Sequence, residues 1–378
     1  MSLYGKTILI GVTGSIAAVE TVRLIHALKR KRAEVQPVMS QAACKIIHPD
    51  SLTYASGRDT IVQITGHVEH VKYCGDEGLA DLFLIAPCTA NTISKIACGI
   101  DDTTVTTFAT TALGRKMPII LVPAMHHAMF RHDIIIKNLE TLKKSEIITI
   151  DPRIEEGKAK IAGIEEIVLW CERLLSGRPL AGKRILITSG RCEEPVDDIR
   201  VLTTRSSGKM GRELAYEAFR LGGDVTIIHR DEVIVGRNVH ATSALSMKNA
   251  ICTLMEEQVP DIYISAAAIS DFAPDYKPCK IPSGIPAIIH LNPLPKLLDL
   301  AVGTVPVTVA FKLGKSAHEE VELLFRKGVS MVLANKPENL GSENGQYTII
   351  DSFGYEQADG SKHEIASMIF DRIIAKHL

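Results

Sequence analysis

The feature that most constrains this chain is a rhythm that runs once, stops and starts again. Short continuous apolar runs alternate with amphipathic stretches, as in TILIGV (7–12), EVQPVM (34–39), LFLIAP (82–87), IILVPA (119–124) and EIITI (146–150). Runs that are apolar without alternation suit strands covered on both faces. Between the first two, Ser15 to Lys31 puts Ile16, Val19, Leu24, Ile25 and Leu28 on one helical face, and further helices fit at 89–99 and 126–140. Strand, helix, strand in this order predicts a doubly wound α/β domain.

After an amphipathic helix from Ile164 to Leu175, the segment SGRPLAGK (176–183) is rich in Gly and Pro and has no period. RILITSG (184–190) then reads as a second first strand. It is followed by DVTIIH (224–229), DIYISAA (261–267), VPVTVAF (305–311), SMVLAN (330–335) and YTIID (347–351). Helices at about 208–221, 243–257, 315–327 and 363–376 separate them. The last carries Ile365, Met368, Ile369, Ile373 and Ile374 as one stripe, the pattern of a core-facing helix. The expectation is two α/β domains, 1–175 and 184–378, joined by a linker at 176–183. A length of 378 residues suits two domains.

Lys plus Arg number 43 and Asp plus Glu 44, so overall charge gives no reason to expect nucleic acid or an anionic membrane as partner. The eight cysteines show no metal-ligand spacing and read as buried thiols of a reducing compartment. The start, MSLYGKTILIGVTGS, lacks the apolar core and cleavage site of a signal peptide, and no run is long enough to span a bilayer. A cytoplasmic protein is expected.

Two glycine turns stand out. GVTGSIAA (11–18) follows a strand and opens a helix. Its N–H groups and the hydroxyls of Thr13 and Ser15 suit one phosphate group, although an unliganded βα turn fits equally well. It is not G-x-G-x-x-G, which argues against a nicotinamide dinucleotide. TTRSSGKMG (203–211) resembles a phosphate nest, or else a polar helix start capped by Ser206 or Ser207. In PAMHHAMF (123–130) two histidines end an apolar run. Adjacent residues at a helix start diverge by about 100°, and no further ligand lies nearby, so a metal site is disfavoured.

These motifs, in order and spacing, resemble the bifunctional phosphopantothenoylcysteine decarboxylase / phosphopantothenate–cysteine ligases of coenzyme A biosynthesis. In the first half the resemblance rests on GVTGSIAA, VMSQAA (38–43), the EHV around His70, ADLFLIAPCTANTISKIACGIDD (80–102) and PAMHHAM. In the second it rests on LITSGRCEEPVDDIRVLTTRSSGKMG (186–211), SAAAISDF (265–272), CKI (279–281), AFK (310–312) and LANKP (333–337). It implies a flavodoxin-like flavin cysteine decarboxylase domain followed by a Rossmann-like ligase domain.

For the first half the resemblance implies FMN, lined by Gly14, Ser15, Ile16, Ser40, Thr89, Ala90, Asn91, Thr92 and Ala124, with Met125 and Met129 beside the substrate. The flavin oxidises the substrate's cysteine side chain so that CO2 leaves from a thiocarbonyl-stabilised centre. His70 matches the active-site histidine. His126 stands where the family has a carboxylate-binding asparagine. The expected flap, DPRIEEGKAKIAGIEEI (151–167), lacks the cysteine that donates the final proton. His126, His127, Lys158 or water are the candidate donors, with Cys74 a weaker one.

For the second half it implies activation of 4′-phosphopantothenate by a nucleotide, CTP with ATP as the alternative, then attack by cysteine, with Mg2+ as cofactor. Lys280 is the catalytic cation. Asp271, Ser265, Ala266, Ala267, Pro293, Phe311 and Lys327 contact the nucleotide, and Ser206, Ser207 and Gly208 form the phosphate or substrate loop. Thr204 replaces a family asparagine, and NPLPK (292–296) keeps only part of a nucleotide-binding segment. A trimer-based homo-oligomer, up to a dodecamer, is implied. The rival readings are a nicotinamide-dependent reductase and a flavin-binding regulatory subunit.

Overall fold

The computed structural model describes residues 3–284, 286–313, 317–335 and 341–378. The chain divides into two compact units, Met1–Gly177 and Arg178–Leu378.

In the first unit, β1 (Thr7–Val12), α1 (Thr21–Arg30), β2 (Glu34–Met39), β3 (Leu82–Cys88), α2 (Ala90–Ala97), α3 (Thr104–Gly114), β4 (Ile119–Pro123), β5 (Ile148–Thr149) and α4 (Ile164–Leu175) carry the architecture. The sheet is parallel with order β2-β1-β3-β4-β5, the flavodoxin-like order. Alternation of side chains along each strand explains why the runs are apolar throughout. Ile8, Ile10, Val12, Leu82, Leu84, Ile120 and Val122 face α1 and α4, where Leu24, Ile25, Leu28 and Ile167 wait. Leu9, Phe83, Ile85, Ile119 and Leu121 face the other way, onto Ile93, Phe108 and Ala109. Each fully buried side chain of this kind contributes about 1.5–3 kcal/mol of transfer free energy.

In the second unit the frame is β6 (Arg184–Thr188), α5 (Lys209–Arg220), β7 (Asp224–His229), β8 (Arg237–His240), α6 (Ala244–Glu257), β9 (Ile262–Ser265), β10 (Val307–Leu313), α7 (Ala317–Lys327), β11 (Met331–Asn335), β12 (Asn344–Asp351), β13 (Gly354–Ser361) and α8 (Lys362–Lys376). The sheet order is β8-β7-β6-β9-β10-β11-β12-β13. The strands are parallel from β8 to β11, a Rossmann-like order, and antiparallel in the last two. Ile365, Ile369, Phe370 and Ile373 of α8 are buried, so its apolar stripe is core. The two expected doubly wound α/β folds are present.

Several local expectations change. The single helix at 126–140 is two, His127–Phe130 and Asp133–Lys144, because the His132 ring starts the second by accepting the Ile134 N–H at 3.3 Å. The strand at 146–150 shortens to Ile148–Thr149. The strand at 305–311 starts later and runs on to Leu313. The N-cap of α5 is Gly208, in left-handed backbone with φ 72°, and neither Ser206 nor Ser207. Strand β13 was not anticipated, since its first four residues are all exposed and carry no apolar pattern. Leu180, inside the Gly/Pro-rich stretch, is buried and its N–H donates to Leu221 O at 2.9 Å. Lys336 and Pro337 of LANKP, and the first two positions of the 315–327 helix, lie outside the described residues. No helix among the described residues is long and apolar enough to cross a membrane.

Candidate active site

In the first unit the chain leaves β1 toward β2 on one side and the later strands lie on the other. Ligands collect at the carboxyl ends of strands where such an order reverses. A cavity of about 780 Å3 opens there, within the usual span of small-molecule sites. Gly14 and Ser15 from the turn after β1, Ser40 after β2, Thr89–Thr92 after β3, and Ala124, Met125 and Met129 after β4 line it together.

Hydroxyls and backbone build this wall. Thr13 Oγ1 donates to Pro87 O at 2.8 Å and accepts the Thr89 N–H at 3.0 Å, which fixes the β1 turn against the start of α2. Thr89 caps α2, its side chain accepting from the Thr92 N–H. A Cβ on Gly14 would lie 2.7 Å from Ala42 Cβ, so only glycine lets this turn approach so closely. The result is a cradle of small residues at a helix N-terminus, suited to a phosphate group, with Met125 and Met129 supplying apolar surface for a planar ring. This donor set fits a flavin mononucleotide.

Sequence reasoning did not list Gln41, Val62, Gln63, Ile64 or Asp101 to Thr104 and Thr107, which also line the cavity. The adjacent acids of GIDD, closing an apolar helix, were the available signal. The 62–64 segment offers none, being brought in by the Val38–Ile61 bridge.

A second cavity, about 810 Å3, shares Ser15, Ala124 and Met125 with the first. Ile16 and His126 line this one instead, with Arg23, Arg153, Lys158 and Lys160. The basic flap is here: strand Arg153–Glu155 pairs with Lys158–Lys160, which pairs in turn with Met125–His126, setting His126 opposite Lys158. The carboxylate of Glu155 holds Arg153 at 3.3 Å and Lys160 at 3.0 Å. The His126 ring accepts the Ala128 N–H on Nδ1 at 3.4 Å. A neutral His126 therefore carries its proton on Nε2.

His70 is not brought to either lining. It is half-buried on the helix Glu69–Cys74, edge-on to Phe108 with ring centroids 6.4 Å apart, and its Nδ1 is buried without a hydrogen-bond partner among the described residues. His127 lines neither cavity. Cys74 is fully buried in the core, and burial pushes its thiol up to about 12. So protonated and enclosed a thiol is no proton donor to either cavity.

In the second unit the order reverses between β6 and β9. A smaller cavity of about 150 Å3 lies nearby, lined by Ser206 to Gly211, Ala266 to Ala268, Phe311, Leu313, Asn335, Gly341, Tyr347 and Lys362. Gly211 permits the helix to touch the strand end, since a Cβ there would sit 2.1 Å from Ser189 Oγ. Phe311 stands edge-on to Tyr347, centroids 6.3 Å apart. Thr204 donates to Ala268 O at 3.1 Å. Ser265 ends β9 beside this lining without belonging to it.

Asp271, Pro293 and Lys280 form a separate group. Phe272–Pro274 and Leu291–Pro293 make a two-stranded ribbon, with Asp271 paired to Lys296 at its base and Lys280 exposed in the connecting loop. Lys327 is not brought to either place, because its ammonium is bound to Asp299 at 2.9 Å. Asp299, Tyr347 and Lys362 had no sequence motif to announce them, whereas Asn335 lies in LANKP without having been singled out. Among the described residues no group of three or more His, Cys, Asp or Glu stands ready to hold a metal ion.

Fold and cavities together define a two-unit α/β protein with a cavity at or near the reversal point of each sheet. A family model described as Flavoprotein matches residues 2–176, and one described as DNA/pantothenate metabolism flavoprotein C-terminal domain matches 180–377. The Coenzyme A biosynthesis bifunctional protein CoaBC of Thermococcus kodakarensis is 42% identical, over 98% of this chain and 95% of its own. That of Methanocaldococcus jannaschii is 35% identical, over 98% and 94%. A crystal structure of the C-terminal domain of a protein of that name is 27% identical, with TM-score 0.44, over 52% of this chain and 97% of that one. The chain belongs to the family of bifunctional coenzyme A biosynthesis enzymes.

Proposed function

We propose that residues 1–175 decarboxylate 4′-phosphopantothenoylcysteine with FMN, and that residues 184–378 make that compound from 4′-phosphopantothenate, cysteine and CTP. As a member of the family the chain is a phosphopantothenoylcysteine decarboxylase and a phosphopantothenate–cysteine ligase. The observation that carries the assignment of the first unit is convergence. Gly14, Ser15, Ser40, Thr89 to Thr92 and Ala124 come from separate segments and line one cavity.

Bound there, FMN supplies the two-electron redox chemistry that lets the carboxylate leave as CO2. The chain's own residues bind, orient and move protons. The start of α2 and the hydroxyls of Ser15, Ser40 and Thr89 take the phosphate. In the adjoining cavity the Nε2–H of His126 donates a hydrogen bond to the substrate carboxylate, and, once CO2 has gone, the ring in its protonated form gives a proton to the enethiolate carbon and returns to neutral imidazole. Lys158, paired across the ladder, keeps the wall positive. His70, which lines neither cavity, is given a further proton exchange on its match to the family's active-site histidine alone. We propose a trimer-based homo-oligomer in the cytoplasm; the exposed apolar side chains Ile16, Val19 and Ile154 support only that this face is covered by another copy.

In the second unit a carboxylate oxygen of phosphopantothenate attacks the α-phosphorus of CTP and pyrophosphate leaves. The cysteine amine then attacks the acyl carbon and CMP leaves. Lys280 neutralises charge on the transferring phosphate, Phe311 packs on the base, Asp271 and Pro293 flank the nucleotide, and Ser206, Ser207, Gly208 and Ala266 to Ala267 offer hydroxyls and backbone N–H groups. Mg2+ enters with the nucleotide phosphates, a mode that needs few protein carboxylates. Two measurements test this: a flavin spectrum in the purified protein, and release of CMP and pyrophosphate only when phosphopantothenate, cysteine and CTP are all present. A colourless protein, or ATP used in preference to CTP, contradicts the respective half.

A further inference from the structure

Two lysines face the cavity at the start of α5. Helix α5 runs for 12 residues from Lys209, with Gly208 as its N-cap and no side chain capping it among the described residues. Lys209 and Lys362 both line the space. Lys209 is already spoken for: its ammonium meets the Glu343 carboxylate and donates to Gly341 O at 3.2 Å. Lys362 is not. It is 6% exposed, and its ammonium has no hydrogen bond or ion pair among the described residues.

Its place is built, not incidental. Ser361 caps α8 in a capping box with Glu364, and the Lys362 N–H donates to Glu343 O at 3.0 Å, which ties the first residue of the helix to the edge of β12. An ammonium on a largely buried side chain with no ion pair of its own is costly unless something anionic joins it. Burial, reinforced by the charge of Lys209 and only partly offset by that of Glu343, pushes its pKa down. A partner of opposite charge removes that penalty.

We infer that Lys362 is a further ligand-binding residue of the ligase unit, the cation that takes a phosphoryl group of one of the two phosphorylated substrates at the N-terminus of α5. The volume sets the size of the group. About 150 Å3 is well below a whole-ligand pocket of roughly 300–1,000 Å3, so a phosphoryl group enters while the rest of its molecule extends past Phe311 and Ala266 to Ala268. The phosphoryl comes either from the nucleotide or from the 4′-phosphate of phosphopantothenate. The inference rests on the ligase reading above.

The test uses the full chain with Lys362→Gln and Lys362→Arg. Initial rates of ligation are measured against CTP at saturating phosphopantothenate, and the reverse. Losing one charge-assisted hydrogen bond raises one KM by ~10–100-fold with kcat little changed, and arginine restores most of it. The substrate whose KM moves is the source of the phosphoryl group. If the wild type ligates and Lys362→Gln leaves both KM values unchanged, the inference is overturned. Reductive methylation of wild-type Lys362 needs no variant to fold: CTP or 4′-phosphopantothenate must protect it, and no protection by either overturns the inference. Failure of the ligase reading is distinguishable, because then the wild type itself forms no CMP.

Discussion

The buried carboxylate of Asp197 accepts the backbone N–H of Ile281 at 2.9 Å, and so fixes the residue next to Lys280. The same carboxylate takes the N–H groups of Ile199 at 2.9 Å and Arg200 at 2.7 Å, and Arg200 returns a bond to Ile281 O at 3.2 Å. A lysine in an exposed loop is thereby anchored one residue away from the frame. The proposed role of Lys280 depends on that anchor.

Asp197→Asn should therefore lower ligation on the order of 100-fold, the scale of a misplaced catalytic group, while decarboxylation of added phosphopantothenoylcysteine continues. The same variant changes the acid response. The Ile281 N–H first, then those of Ile199 and Arg200, hold the Asp197 carboxyl well below the usual range. A depressed pKa contributes stability that is complete above the unfolded value, roughly 3.9, and is lost as pH falls below it. Circular dichroism of the variant should show a flatter acid limb; an unchanged limb removes this account of the loop.

Gly14→Ala should yield protein with little colour. The added Cβ meets Ala42 Cβ at 2.7 Å, so the turn after β1 must shift. Overpacking of this kind costs about 1–3 kcal/mol, or ~10–100-fold in flavin affinity. Absorbance of the purified variant, titrated with FMN, reads it directly.

His126→Asn separates carboxylate binding from proton donation. Asparagine keeps a donor but cannot act as an acid, so KM for phosphopantothenoylcysteine stays near the wild type while formation of phosphopantetheine falls ~100-fold or more. CO2 release without the reduced product is the expected signature in a mass-resolved assay. Equal loss of both would leave His126 as a binding group only.

Phe108→Ala tests whether His70 is held by packing. The ring is fully buried, 6.3 Å from Phe83 and 6.4 Å from His70 between centroids. Its removal should cost about 3–5 kcal/mol of stability in the first unit. Phe108→Leu costs less and should retain flavin while slowing decarboxylation. Chemical denaturation and turnover on the same samples distinguish the two effects.

What could be read in advance followed from periodicity. The continuous strands β1, β3 and β4 were legible because both faces of each are covered. β13 was not, because an edge strand whose first residues all face water leaves no apolar trace. Helix α3 hides in TVTTFATTALG, where threonines stand at helical positions and bond back to the chain, as Thr107 Oγ1 does to Thr103 O at 3.0 Å. Of the proposed phosphate cradle of the first unit, the turn at 11–18 stood out in the sequence but fitted an unliganded turn equally well, and Ser40 and Thr89 came only with the family resemblance. Lys362 was not, since a lone lysine at a helix start signals nothing until β12 and α5 close around it.

The central claim is that one chain performs both steps, and product analysis of the full-length protein tests it most directly. Given 4′-phosphopantothenate, cysteine and CTP, the wild type should form 4′-phosphopantetheine, CMP, pyrophosphate and CO2. His70→Ala should stop at phosphopantothenoylcysteine. Lys280→Ala should form no CMP, yet convert added phosphopantothenoylcysteine. A wild-type protein that releases no CMP, or a Lys280→Ala variant that ligates at the wild-type rate, would contradict the account.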